Sequence, residues 1–150
     1  MLNATLETNR RQMELAFNLV RRTEKRRIGV LGLSFKAGTD DLRESPIVLL
    51  IETLIGKGYK LSVYDEEVAL ARLVGANRRY IEQTIPHISS LMLSSPREVM
   101  ETSDVVLISK KTPPIREALT KYVDGQTIID LVRALDEPAE RPKQYHGICW

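Results

Sequence analysis

The chain has 150 residues, 43% of them hydrophobic and 28% charged, with a formal net charge of +2 at pH 7. These values fit one folded domain with a core and exclude a disordered or fibrous chain, and so mild and dispersed a charge gives no electrostatic footprint for nucleic acid. A single cysteine, Cys149, excludes an internal disulfide and fits a reducing compartment.

No segment approaches the roughly 20 apolar residues of a membrane span, and the start Met1-Leu2-Asn3-Ala4-Thr5-Leu6-Glu7 lacks the basic lead and apolar run of a signal peptide. A soluble, cytoplasmic protein without a membrane partner is the expectation. Residues 2–23 place Leu2, Leu6, Met13, Phe17 and Val20 near one face of a helix, with Asn9, Arg10, Arg11, Gln12 and Glu14 largely opposite. This amphipathic helix precedes the first strand and is read as standing outside the sheet, as the end of a longer connecting or dimerising helix.

After the basic cluster Lys25-Arg26-Arg27, the apolar run from Ile28 to Leu33 predicts a buried strand, and Pro46 to Ile55 repeats apolar residues at helical spacing. Gly56-Lys57-Gly58 closes that helix, and Lys60 to Tyr64 alternates into a second strand ending at Asp65. Short helices are predicted over Val68 to Leu73 and Arg78 to Ile85. Ser95 is the expected N-cap of the next helix, with Pro96 in its first position and Val99 and Met100 as its buried residues. Val105 to Ile108 reads as a fully buried strand, Ile115 to Tyr122 as a helix after Pro113-Pro114, and Gln126 to Asp130 as the last strand. The charged, proline-bearing tail from Asp136 to Tyr145 is expected to wrap the surface as an extended segment. The alternation of strands and helices predicts a Rossmann-like α/β domain of three layers with a parallel sheet, preceded by an N-terminal helix.

In open α/β sheets ligands bind outside the carboxyl ends of the strands, which directs attention to the loop from Ser34 to Ser45. Lys36 offers a point charge to a phosphate there, and Arg43 a fork that can grip a pyrophosphate bidentately. The same side chains could instead pair with Asp40, Asp41 and Glu44 in a solvated network. Gly38, Thr39 and Ser45 fit either account, as backbone freedom, a hydroxyl and a helix cap. A dinucleotide fingerprint requires G-x-G-x-x-G after the first strand, and Gly29-Val30-Leu31-Gly32 does not supply it. Asp65 is therefore weighed between a ribose contact and a turn aspartate capping the next helix. His87 and His146 have no neighbours at metal-ligand spacing, so no metal site is expected. Cys149, at the chain end beside Trp150, has no adjacent base to make it a nucleophile.

The run Phe35-Lys36-Ala37-Gly38-Thr39-Asp40-Asp41-Leu42-Arg43-Glu44-Ser45-Pro46 resembles the F-K-x-x-x-D-D-x-R-x-S-P signature of the nucleotide-sugar dehydrogenases. The likeness extends over nearly the whole chain and is greatest to members acting on GDP-mannose, through Ile55-Gly56-Lys57-Gly58-Tyr59, Gly75-Ala76-Asn77, Ile85-Pro86-His87 and the ending Gly147-Ile148-Cys149-Trp150. The resemblance implies NAD-dependent oxidation of a sugar C6 hydroxyl to a carboxylate through a cysteine-bound thiohemiacetal and thioester. It also implies an N-terminal NAD-binding part, a central helix forming a homodimer, and a C-terminal nucleotide-sugar-binding domain. On that likeness residues 1–24 match the end of the central helix and residues 25–150 the C-terminal domain. Lys36 matches the lysine that contacts the sugar nucleotide, and Arg43 the arginine that reaches NAD. The family's catalytic cysteine lies upstream, so no catalytic residue is assigned here and the chain is not expected to catalyse alone. In UDP-sugar members an arginine follows the last strand; here Leu131-Val132 separate Arg133 from Asp130. The alternatives are a UDP-sugar dehydrogenase domain and a non-catalytic dimerising module.

Overall fold

The structure, a computed structural model, describes residues 2–33, 45–68 and 86–148. In chain order these form α1 (Leu2–Thr23), β1 (Arg27–Leu31), α2 (Pro46–Gly56), β2 (Lys60–Tyr64), α3 (Pro86–Ser89), α4 (Pro96–Thr102), β3 (Val105–Ile108), α5 (Pro113–Lys121), β4 (Thr127–Asp130), a 3-10 turn (Pro138–Glu140) and β5 (Tyr145–Gly147). The strands make one sheet in the order β2-β1-β3-β4-β5, and every pairing is parallel.

Because side chains alternate across a strand, the sheet separates two apolar clusters. Val30, Leu107 and Ile129 face α1, α2 and α3, where they meet Val20, Ile51 and Ile88. Leu31, Ile108 and Ile128 face α4 and α5, where they meet Met100, Ile115 and Leu119. The result is the expected three-layer Rossmann-like arrangement. Helix α2 buries Ile47, Val48, Leu50, Ile51 and Leu54, each contributing roughly 1.5–3 kcal/mol on full burial.

One expectation gains detail and one is corrected. The second half of α1 belongs to the layer covering the sheet, since Ala16 and Val20 are fully buried in the first cluster and Met13 and Phe17 pack against it. The tail is not simply an extended wrap: Tyr145–Gly147 adds a fifth strand beside β4. It carries no apolar run, and Ile148 beyond it is buried. The predicted cap of α4 is found, Ser95 accepting from the Glu98 N–H at 3.3 Å. Ser45 occupies the N-cap position of α2 but its side chain makes no cap bond.

At the amino ends of the neighbouring interior strands β1 and β3, Arg27 grips Asp104 with two bonds, Nη2 to Oδ1 at 2.8 Å and Nε to Oδ2 at 3.0 Å. The Arg27 hydrogen bond holds the Asp104 carboxyl below its ordinary value. A carboxyl depressed in the folded state contributes stability above its unfolded pKa and loses it as pH falls through the folded pKa. Asp104→Asn is therefore expected to lower neutral stability slightly, leave stability near pH 2 nearly unchanged, and so flatten the acid limb of the profile, which urea midpoints between about pH 7 and pH 2 would measure.

Candidate functional site

The register lines up the carboxyl ends of all five strands. Tyr64, Leu31, Ile108, Asp130 and Gly147 are successive partners in a single row across the sheet. Beyond that row the backbone continues the ladder one step: Gly32 N–H donates to Tyr64 O at 2.7 Å, Ser109 N–H to Leu31 O at 3.0 Å, Leu131 N–H to Ile108 O at 2.9 Å and Ile148 N–H to Asp130 O at 3.0 Å. This edge is where a parallel sheet receives a ligand.

The exit of β1 is held on several sides. The Ser109 hydroxyl donates to Gly32 O at 2.5 Å, Leu33 N–H donates to Asp65 Oδ2 at 2.8 Å, and the Ser45 hydroxyl donates to Leu33 O at 2.5 Å. Ser45 thus ties the start of α2 to the end of β1 and does not cap its helix. Gly32 has φ +102, and a Cβ there would stand 2.4 Å from Lys110 Cβ.

Asp65 is a turn aspartate. Its Oδ1 accepts the N–H groups of Glu67 and Val68 at 3.0 and 3.2 Å, capping the helical residues 66–68, and only 1% of its side chain is exposed. Fully engaged in this way, it is not placed to hold a ribose. Lys110, whose side chain is 4% exposed, sets its ammonium 3.4 Å from Asp65 Oδ2 and 3.4 Å from Glu67 Oε2. A buried ion pair repays its desolvation only with such additional bonds.

At the exit of β4, the fully buried Asp130 accepts from Val132 N–H at 2.9 Å and Ala134 N–H at 2.7 Å, and its Oδ2 also receives the Tyr145 hydroxyl. Burial first, then the hydrogen bond to Asp130, raises the Tyr145 phenol above its ordinary pKa. Between the two held amides, Arg133 takes a left-handed φ of 54° and lies 3.7 Å from Asp136.

Lys36 and Arg43, with Gly38, Thr39, Asp40, Asp41 and Glu44, lie outside the described residues, as do the helices predicted after Val68, Cys149 and Trp150. His87 and His146 are both exposed, and among the described residues no three His, Cys, Asp or Glu side chains converge as a metal site would require. Also among these residues, no helix is long and apolar enough to cross a membrane. The sequence reading missed Ser109, Lys110, Asp130 and Tyr145. For Lys110 the one visible signal was its place directly after a buried strand run.

Comparison with known proteins places this edge in context. The profile of the UDP-glucose/GDP-mannose dehydrogenase family, UDP binding domain, matches residues 29–137. The GDP-mannose 6-dehydrogenases of Pseudomonas putida and Pseudomonas aeruginosa are 43% and 45% identical over all 150 residues, and the chain spans 34% of the length of each. The crystal structure of a ternary complex of the GDP-mannose dehydrogenase from Pseudomonas aeruginosa superimposes with a TM-score of 0.86 at 45% identity, covering 100% of this chain and 34% of that one. A UDP-glucose dehydrogenase from Pyrobaculum islandicum follows at TM-score 0.67 and 25% identity, covering 99% of this chain and 32% of that one. With the parallel sheet and its aligned carboxyl edge already described, the profile match assigns the chain to the UDP-glucose/GDP-mannose dehydrogenase family, whose UDP binding domain it carries.

Proposed function

We propose that residues 25–150 are the nucleotide-sugar-binding domain of an NAD-dependent GDP-mannose 6-dehydrogenase, a cytoplasmic enzyme that oxidises GDP-mannose to GDP-mannuronate. The observation that carries this reading is coverage. Identity to GDP-mannose 6-dehydrogenases runs through all 150 residues, whereas identity to the UDP-glucose 6-dehydrogenase of Rickettsia typhi is 29% over 109 residues.

In this reading Lys36 binds the diphosphate of the sugar nucleotide, and the domain's work is orientation: it fixes the nucleotide so that the sugar C6 is presented to the reacting groups. NAD, bound elsewhere in the enzyme, supplies the acceptor for hydride. Gly29 and Gly32 serve packing, since a Cβ on Gly29 would stand 2.6 Å from Val99 Cγ1 and Ser103 Oγ and one on Gly32 would stand 2.4 Å from Lys110 Cβ, and the sequence there lacks the G-x-G-x-x-G spacing of a dinucleotide site. Arg43 is the one residue of this chain proposed to extend to that cofactor. The covalent chemistry belongs to the upstream part of the enzyme.

Residues 1–24 are proposed as the end of a central helix through which two copies pair. A groove of about 560 Å³ between α1 and α2, lined by Met13, Phe17, Leu49 and Leu50 among others, supports this, as do Leu15 and Leu49, 52% and 56% exposed.

Calorimetric titration of the chain with GDP-mannose and UDP-glucose tests the reading. GDP-mannose is expected to bind more tightly, and Lys36→Ala to weaken it by about 10- to 100-fold, the equivalent of one lost hydrogen bond to a charged group at roughly 1.5–3 kcal/mol. Tighter binding of UDP-glucose would favour the UDP-sugar assignment. Self-association of the chain with no nucleotide affinity would favour a dimerising module.

A further inference from the structure

We propose that Lys110 is a positioning residue of the nucleotide-sugar site, acting through Asp65 on the Leu33 peptide at the carboxyl edge of the sheet. The proposal rests on the reading above. Stability alone gives little reason for a lysine here, since a buried ion pair can often be exchanged for apolar residues without loss. Its surroundings give another reason.

One Asp65 oxygen holds the caps of residues 66–68, while the other accepts Leu33 N–H and faces the Lys110 ammonium. The carboxylate therefore has one orientation, and the peptide that ends in the Leu33 N–H is fixed from both sides, its N–H by Asp65 and its Gly32 carbonyl by Ser109, while Ser45 holds the Leu33 carbonyl that follows. Packing fixes the lysine in turn: Gly32, lacking a Cβ, lets the Lys110 backbone and Cβ lie directly against β1. Lys110 also sets the charge of the edge. Without it, the buried Asp65 carboxylate beside Glu67 would stand without its cation at the place proposed to receive a diphosphate, and in a low-dielectric setting such a charge directly opposes an anionic ligand. Lys110 meets those carboxylates with a cation of its own, leaving the phosphate to other groups.

Two roles are thus separable, holding the peptide and balancing the charge. Lys110→Met removes both. Lys110→Met/Asp65→Asn removes the hold but leaves no unpaired charge at residue 65, so it also provides a folded chain if the single variant does not fold. Affinity for GDP-mannose, measured by calorimetry well below each unfolding midpoint, is expected to rank wild type above the double variant and the double above the single. The single variant should lie about tenfold or more below wild type. In the same samples the Leu33 amide should exchange several-fold faster in both variants, with the amides of β3 and β4 unchanged.

Equal affinities and equal Leu33 exchange, with only the midpoints shifted, would overturn the proposal and leave Lys110 a structural residue. If the single variant does not fold, the double variant decides alone: affinity and exchange matching wild type would overturn it. A wild-type chain that binds neither GDP-mannose nor GDP would instead remove the functional reading, and the Leu33 exchange would still decide whether Lys110 holds the peptide.

Discussion

A Gly32→Ala variant is expected to lose roughly 3–5 kcal/mol of stability, a large part of what a domain of this size possesses. Two costs combine. The backbone at Gly32 has φ +102, a conformation that charges an L side chain about 1–3 kcal/mol. The new Cβ would also stand 2.4 Å from Lys110 Cβ and 3.0 Å from Lys110 N, and overpacking a close contact typically costs about 1–3 kcal/mol more. Gly58, with φ +88 and nothing within 4 Å of the added carbon, separates the two: Gly58→Ala should show the conformational cost alone. Urea unfolding of the two variants beside wild type reads the difference. Equal losses at both positions would show that the contact with Lys110 yields freely.

Asp130→Ala should be nearly as damaging, at roughly 3–4 kcal/mol. Ala134 is fully buried, and its N–H loses its Asp130 acceptor, as do the Val132 N–H and the Tyr145 hydroxyl; a buried donor left unsatisfied costs about 1–3 kcal/mol. The damage should spread to β5, seen as faster exchange of the Ile148 amide that donates to Asp130 O. The Tyr145 phenol should fall back toward its ordinary pKa as well, since Asp130 supplies part of the upward shift. Because that pKa is raised in the folded state, its contribution is complete below the unfolded value and disappears as pH rises through the folded one. Wild type should therefore lose stability at high alkaline pH more steeply than Asp130→Ala. An unaltered tyrosine titration, followed by ultraviolet difference absorbance, would contradict the assigned bond.

These two positions also show how far the sequence could be read. Strands β1 to β4 were legible because each is a short apolar or alternating run between turn signals, and α2 and α4 because Pro46 and Pro96 open them. β5 was not, since Tyr145-His146-Gly147 has no apolar pattern and owes its place to Asp130 and Ile148. Ser45 was legible as a helix-start residue, but its hydroxyl turns to Leu33, a choice made by a neighbour twelve positions away. Of the adjacent lysines after β3, Lys110 is buried and Lys111 reaches Asp136 at 2.9 Å. Residue type alone does not tell them apart; the gap above Gly32 does. The motif with Lys36 and Arg43 was the clearest functional signal in the sequence, and its weight rests on resemblance.

The strand order carries a consequence for how the chain is made. β1 lies between β2 and β3, and the clasp from Arg27 to Asp104 joins residues 77 positions apart. During vectorial synthesis β1 and β2 leave the ribosome able to pair with each other, but the other flank of β1 has no partner until Val105–Ile108 emerges. Closing so long a span takes entropy before any contact rewards it, which places this pairing among the slow steps of folding. For that interval the nascent chain presents an apolar strand with an open edge, the kind of surface a chaperone shields.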